Sequence, residues 1–390
     1  MIEYNKNIFF NIINLKLLLF IYFSFILIKS KINPKLFSLG RYKHYINDCR
    51  NLQKYKRIQI KNAVPYFSIC LPAFNMENYI KKVILSILNQ SFQDFEIIIV
   101  NDNSNDKTEL IIKEILSKDK RIRAVNHYKN LGVYASRVDA FLISRGKYIL
   151  LMDPDDMILN PKLFEELYNY NINYNLDIIE FRTLCSTEKY SNLRIRKFKY
   201  HHHNLEGIIF QPQLSDIFFY HPLYKNYSEV QCRNIWNKII RREILLETIN
   251  YIGKDYYNKV FITAEDTIIN LISLHFANNF TNIHFPGYMY NIREKSMTHG
   301  KSNKQKKILF NYNHLLYLKK FYSYLKEFNK NRNFLFYELI KINKLLLELN
   351  NITSKYNKDI KIFFKDILDD KNSSELFKKY IKNLTNFMNF

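Results

Sequence analysis

The chain has 390 residues, 47% of them hydrophobic and 24% charged, which supports a large core and excludes general disorder. Its net charge of +23 comes from 59 Lys and Arg scattered among 36 Asp and Glu, with no Arg-rich stripe. That pattern argues against nucleic acid as a partner and for a solvated basic surface. Four cysteines without a CxxC pair exclude a zinc knuckle and a disulfide-built scaffold.

Residues 8–28, IFFNIINLKLLLFIYFSFILI, carry one charge, Lys16, in 21 positions. A membrane-spanning helix needs about 20 apolar residues, and no small-x-small cleavage site follows, so residues 1–30 are expected to be an uncleaved single-pass anchor. In a eukaryote this would place the protein on an ER- or Golgi-type endomembrane. Lys29, Lys31, Lys35, Arg41 and Lys43 follow the run and only Lys6 precedes it. The positive-inside rule leans that arrangement towards a cytosolic C-terminal domain, against a lumenal one. Residues 31–65 read as a linker.

From residue 66 the periodicity alternates. FSICLPAF (67–74) is strand-like, and ENYIKKVILSILNQ (77–90) repeats apolar residues at Ile80, Val83, Ile84, Ile87 and Leu88, the spacing of an amphipathic helix. FEIIIVND (95–102) is a short buried-strand run, DNSNDKT a turn and cap, and ELIIKEILSK a second helix. The strand IRAVNH, the helix VYASRVDAFLIS, the strand YILLMD, the helix KLFEELYNY after Pro161 and the strand DIIEFR complete the series. This alternation predicts an α/β fold, a mostly parallel sheet with helices on both faces, and ligands beyond the carboxyl ends of the strands. Residues 183–230 lack periodicity, with HHHN (201–204) read as a solvated loop rather than a metal site. WNKIIRREIL and TAEDTIINLISLHF resume helical spacing, and residues 301–390 read as a helical appendage. The sequon at Asn89 falls in a helix expected to face the sheet, which argues against glycosylation there.

Four polar clusters fall where the strand ends should converge: PAFNME (72–77), NDNSND (101–106), NLGVYASR (130–137) and DPDD (153–156). One such cluster is most simply a turn or helix cap. Asp153 and Asp155, spaced i and i+2, can face one side, and a hard divalent cation relieves their repulsion. Asp156 would shape the turn. Trp236, the single tryptophan, reads either as core or as an apolar platform for a ligand ring.

SICLPAFNMENYIKKVILSILNQSFQDFEIIIVNDNSNDKT, with NLG, Arg137, GKYILLMDPDD, WNKIIRREIL, AED and YNIREKSMT, resembles the family 2 glycosyltransferases of GT-A (Rossmann-like) fold over residues 66–300. Phe74 stands where Tyr is commoner in that family, and Asn101 where a second Asp is common. The resemblance implies an inverting transfer of a hexosyl or N-acetylhexosaminyl group from a nucleotide-sugar, a UDP-sugar above all, to a hydroxyl of a glycan, glycolipid or glycoprotein. It assigns Pro72, Ala73, Phe74 and Glu77 to the nucleoside pocket, Asp102 to the base or ribose, and Arg137 to the nucleotide. It also assigns Asp153 and Asp155 to a DxD motif holding Mn²⁺ or Mg²⁺, and the pair Glu265 and Asp266 to catalysis, with Asp266 as the base. The alternative for that acidic pair is a helix-start cap. Arg293 and Ser296 resemble a segment that closes over the site. The competing readings are a polyprenyl-phosphate sugar synthase, which shares the first motifs, and an inactive nucleotide-sugar-binding membrane protein.

Overall fold

The computed structural model describes residues 64–187, 207–211, 234–253, 265–292 and 354–370, with a few further positions after residue 318. The apolar run 8–28, Cys49, Cys232, HHHN, Arg293 and Ser296 lie outside the described residues. Among the described residues, no helix is long and apolar enough to cross a membrane.

The first half of the domain follows the order expected from periodicity: β1 (Phe67–Ala73), α1 (Ile80–Leu88), β2 (Phe95–Asn101), α2 (Thr108–Leu116), β3 (Ile122–Asn126), α3 (Val133–Ile143) and β4 (Tyr148–Leu151). Every residue of β1 and β2 is buried, as the continuous apolar runs require of strands covered on both faces. Strand alternation sends Phe67, Ile69, Leu71 and Ala73 into one core with Ile80, Val83, Ile84 and Ile87 of α1. Leu163, Phe164 and Leu167 of α4 (Leu163–Tyr174) complete that layer. The opposite face of β1 and β2 packs against α3. Asn89 is the C-cap of α1 and is exposed, so its position does not shield it from modification, contrary to expectation.

Beyond β4 the chain forms β5 (Met157–Ile158), β6 (Ile178–Thr187), β7 (Ile208–Phe210), β8 (Lys238–Arg241) and β9 (Asn279–Ile292), with α5 (Arg242–Ile252) and α6 (Glu265–Phe276) between them. The described strands form one nine-stranded sheet, β3-β2-β1-β4-β8-β6-β9-β5, with β7 pairing β9 off that path. A mostly parallel sheet was expected, and the structure corrects this: β3, β2, β1 and β4 are parallel, but β8 runs against both β4 and β6. The strand that reverses direction was hidden inside WNKIIRREIL, which reads as a helix. Lys238–Arg241 is extended, and the helix begins only at Arg242, after Arg241 at ψ 136°. Pairing on both edges outweighs the local helical period.

The 14-residue β9 was also not foreseen. It runs parallel to β6 with register irregularities around Arg182, and its second half pairs with β5, Ile158 opposite Tyr288 and Met157 opposite Met289. That pairing fixes the turn between β4 and β5, which is the DPDD segment. Among the described residues of the C-terminal region is α7 (Ser354–Asp369).

Candidate active site

The loops after β1 and β2 lace together at the carboxyl edge. Asn75 N donates to Ser104 Oγ at 3.0 Å and Asn105 N to Asn75 Oδ1 at 2.9 Å. Met76 N donates to Thr108 Oγ1 at 2.7 Å, while Glu77 accepts from Lys107 N and gives its own N–H to Asp106. Asn75 and Asn103 sit at φ 54° and 58°, the left-handed region that asparagine tolerates better than most residues. The exchange holds Phe74 with 40% of its surface exposed, beside the buried Pro72 and Ala73. Glu77 thus ties the two loops together, and the ring of Phe74 is left exposed.

Asp102, expected to meet a base or ribose, is 3% exposed and engaged inside the protein. Its Oδ1 accepts from Leu131 N and its Oδ2 from Gly132 N, both at 2.8 Å. Gly132, at φ 91°, caps α3 in a conformation that disfavours side chains. Asp102 therefore anchors the NLG loop, which delivers α3 and Arg137. His127, which no sequence motif singled out, lies between two carboxylates: Nδ1 is 2.8 Å from Asp102 Oδ1 and Nε2 is 2.8 Å from Asp139 Oδ2.

Arg137 lies at the centre of the site. It is 4% exposed, its Nη2 is 2.5 Å from Asp153 Oδ1, and its Nη1 donates to Glu265 Oε1. The guanidinium that was expected to meet a nucleotide is committed to two protein carboxylates, joining the end of β4 to the start of α6. Burial pushes the Glu265 carboxyl up to about 7, with the Arg137 charge pulling it back. Burial likewise raises Asp266, again opposed by Arg137 and assisted by Asp153. Asp266 Oδ1 accepts from Thr267 N at 2.8 Å, so both acids do lie in the first turn of a helix as the capping alternative holds. The two differ in their partners: Glu265 is in the ion pair with Arg137, whereas Asp266 makes a local contact.

In DPDD, Asp153, Asp155 and Asp156 each offer one oxygen, and these lie within 4.8 Å of one another. Three hard oxygen donors at that separation suit Mg²⁺ or Mn²⁺. The three are not equivalent. Asp156 is fully buried, with Oδ2 accepting from Tyr288 Oη and Oδ1 from Asn291 N, each at 2.7 Å. Burial first, then the charges of Asp155 and Asp153, raise its carboxyl well above the usual range. Asp153 and Asp155 are half-buried, so the donor set fits a cation through them, with Asp156 shaping the turn. Burial and the Asp156 charge push the Tyr288 hydroxyl well above its ordinary value, which keeps it a donor.

Trp236 is 4% exposed and stacked between Tyr288 and Tyr290, so of its two readings the structure supports core. Tyr288, His127 and the sealed pair Lys238–Glu180 were not found from sequence. Their partners lie 25 to 135 positions away, except for the Asp139 contact of His127 at 12 and the Asn234 and Asn237 contacts of Lys238 at 4 and 1, and no local spacing marks the distant ones.

Residues 68–247 match the family model described as glycosyl transferase family 2. The chain is 47% identical over 116 residues to an uncharacterised glycosyltransferase of Methanocaldococcus jannaschii, covering 29% of this chain and 39% of that one. It is 28% identical over 262 residues to the uncharacterised glycosyltransferase EpsJ of Bacillus subtilis, covering 64% and 71% respectively. The chain thus spans well under half the length of the first relative. Among solved structures, that of Staphylococcus aureus TarS residues 1–349 in complex with UDP-GlcNAc is similar in fold, with a TM-score of 0.53 at 17% identity, covering 83% of this chain and 89% of TarS 1–349.

Proposed function

For a chain whose residues 68–247 form a family 2 glycosyltransferase domain of GT-A fold, we propose an inverting transfer of a sugar from a nucleotide-sugar donor to an acceptor hydroxyl. The observation that carries this reading is the convergence of Asp153, Arg137 and Glu265, from β4, α3 and α6, at the carboxyl edge of the sheet. Open α/β sheets bind their ligands at that edge.

In the proposed reaction, Phe74 stacks on the nucleoside beside Pro72 and Ala73. Asp153 and Asp155 would hold Mn²⁺ or Mg²⁺, which when bound offsets negative charge on the departing diphosphate as a Lewis acid. Asp266 takes the proton of the acceptor hydroxyl as that oxygen bonds to the anomeric carbon from the face opposite the leaving group. The bond from that carbon to the diphosphate oxygen breaks, its electron pair leaves with the nucleoside diphosphate, and the anomeric configuration inverts. Arg137 holds Asp153 and Glu265 in register, and burial raises the proton affinity of Asp266, which strengthens it as a base. A UDP-sugar is the proposed donor class. TarS, whose fold is similar, was solved with UDP-GlcNAc. The acceptor is proposed to be a saccharide or a lipid- or protein-linked hydroxyl, reached from a membrane to which residues 8–28 attach the enzyme.

The test is hydrolysis of a UDP-sugar panel with Mn²⁺, comparing the full chain with Asp153→Ala and Asp155→Ala. Hydrolysis in the wild type and its loss in both variants is expected. Undiminished hydrolysis in both would overturn the metal assignment.

A further inference from the structure

The DPDD turn lies between two short strands and closes on a bond from Asp156 N to Asp153 O at 3.3 Å, with Pro154 at its second position. Further contacts come from β9. Tyr288 is fully buried, donates its hydroxyl to Asp156 Oδ2 at 2.7 Å, and accepts from the backbone N–H of Asp153 at 3.3 Å. One oxygen therefore contacts both ends of the turn. Asn291 N adds a bond to Asp156 Oδ1 at 2.7 Å, and Leu159 N donates to Gly287 O at 2.9 Å just beyond it.

The ring behind that hydroxyl is itself immobilised. Tyr288 stacks on Trp236 with centroids 4.9 Å apart and planes at 15°, and Tyr290 stacks on Trp236 at 5.2 Å and 11°. Trp236 leads into Asn237 and Lys238, whose ammonium is fully buried 3.2 Å from Glu180 Oε1 and bonded to Asn234 O. Asn237 and Asn282 donate to the two oxygens of Glu180, each at 3.0 Å. An aromatic stack whose Trp236 stands two residues before a sealed ion pair thus ends at the aspartate turn.

We infer that Tyr288 is the positioning residue of the proposed cation site, setting through its hydroxyl the separation of Asp153 and Asp155 while Trp236 fixes the ring. The inference rests on the proposed metal-dependent reading and deepens it. Removing a group that orients the ligands of a metal typically costs about 10–100-fold in its affinity.

Tyr288→Phe in the full chain removes only the hydroxyl and keeps the stack. Mn²⁺ binding is titrated by the electron paramagnetic resonance signal of free Mn²⁺, with and without UDP, and the melting temperature serves as the folding control. The expected result is a folded variant whose Mn²⁺ dissociation constant rises by about 10-fold. Its turnover should return towards wild type at saturating Mn²⁺, a rescue that general loosening of the fold would not give. Trp236→Phe, which keeps the hydroxyl but reduces its support, should weaken Mn²⁺ binding in the same direction by a smaller factor, and it decides the matter should Tyr288→Phe not fold. Wild-type affinity in a folded Tyr288→Phe, or in Trp236→Phe where that variant decides, overturns the inference alone. A wild-type chain that binds no Mn²⁺ overturns both the inference and the metal reading beneath it.

Discussion

Replacing Arg137 by Met tests how the centre of the site is held. The substitution keeps the length of an apolar side chain and removes one cation that faces Asp153 at 2.5 Å and also pairs with Glu265. The arginine is 4% exposed and the two acids 23% and 7%, so solvent can do little to replace it. A single ion pair at about 4 Å is worth roughly 4 kcal/mol gross at an effective dielectric of 20. Much of that is offset by the desolvation the arginine no longer undergoes, and breaking a buried pair from one side leaves a net loss of about 3–5 kcal/mol. Protonation limits this loss. Glu265 already stands at about 7 through burial, even with Arg137 beside it. Without the guanidinium its proton affinity rises further and the acid goes neutral instead of remaining an unpaired charge. A carboxyl raised above its unfolded value of about 4.3 contributes stability that is full below that value and lost as pH rises through the folded one. The destabilisation must therefore grow with pH. Urea unfolding followed by circular dichroism should give a loss of about 3–5 kcal/mol at pH 8, smaller by about 1–2 kcal/mol at pH 6. A loss below about 1 kcal/mol at pH 8, or one independent of pH, would refute the buried ion-pair account.

Three further outcomes follow from the same geometry. The proposed reaction needs Asp266 ionised, and burial raises its carboxyl, so kcat/KM should fall on acidification from a pH above the ~3.9 of an ordinary aspartate. Asp266→Asn should lose at least ~100-fold in turnover with donor affinity kept, and a pH profile flat down to 4 would remove Asp266 from the base role. Gly146→Ala would place its Cβ 2.4 Å from Ser68 Oγ and 2.6 and 2.7 Å from the backbone of Ser68 and Phe67. It should cost about 1–3 kcal/mol or more in thermal or urea unfolding, and an unchanged midpoint would contradict the packing of β4 on β1. Phe74→Ala should weaken UDP binding measured by calorimetry by the ~1–3 kcal/mol of a base–aromatic stack while leaving the melting temperature within about 2 °C, since the ring is largely exposed.

Much of the first half of the domain was legible because its signals are local. Buried parallel strands are continuous apolar runs, and α1 shows its inward face at Ile80, Val83, Ile84 and Ile87 within three turns. The four polar clusters could be placed on one edge because strand direction follows from the crossovers. The second half gave weaker signals. β8 is four residues joined directly to a helix, so its period merges with that of α5, and only its neighbours β4 and β6 make it a strand. The long β9 mixes Gly, Pro, Asn and His into its alternation and is defined by pairing with β6 and β5.

The same division runs through the site. Sequence alone determined which acids stand at strand and helix ends, because a run of apolar residues before Asp153 and a helical period after Glu265 place them whatever else the chain does. Only the tertiary structure decided what each group faces. Arg137 meets Asp153 and Glu265 across separations of 16 and 128 residues, and Asp102 anchors the NLG loop. Of the three clustered aspartates, Asp156 turned inward to Tyr288 at a separation of 132 residues while Asp153 and Asp155 stayed half-buried. Charge partners are chosen by which buried groups can satisfy one another at contact distance, and that choice is made in space, after the sheet has brought distant strands to a common edge.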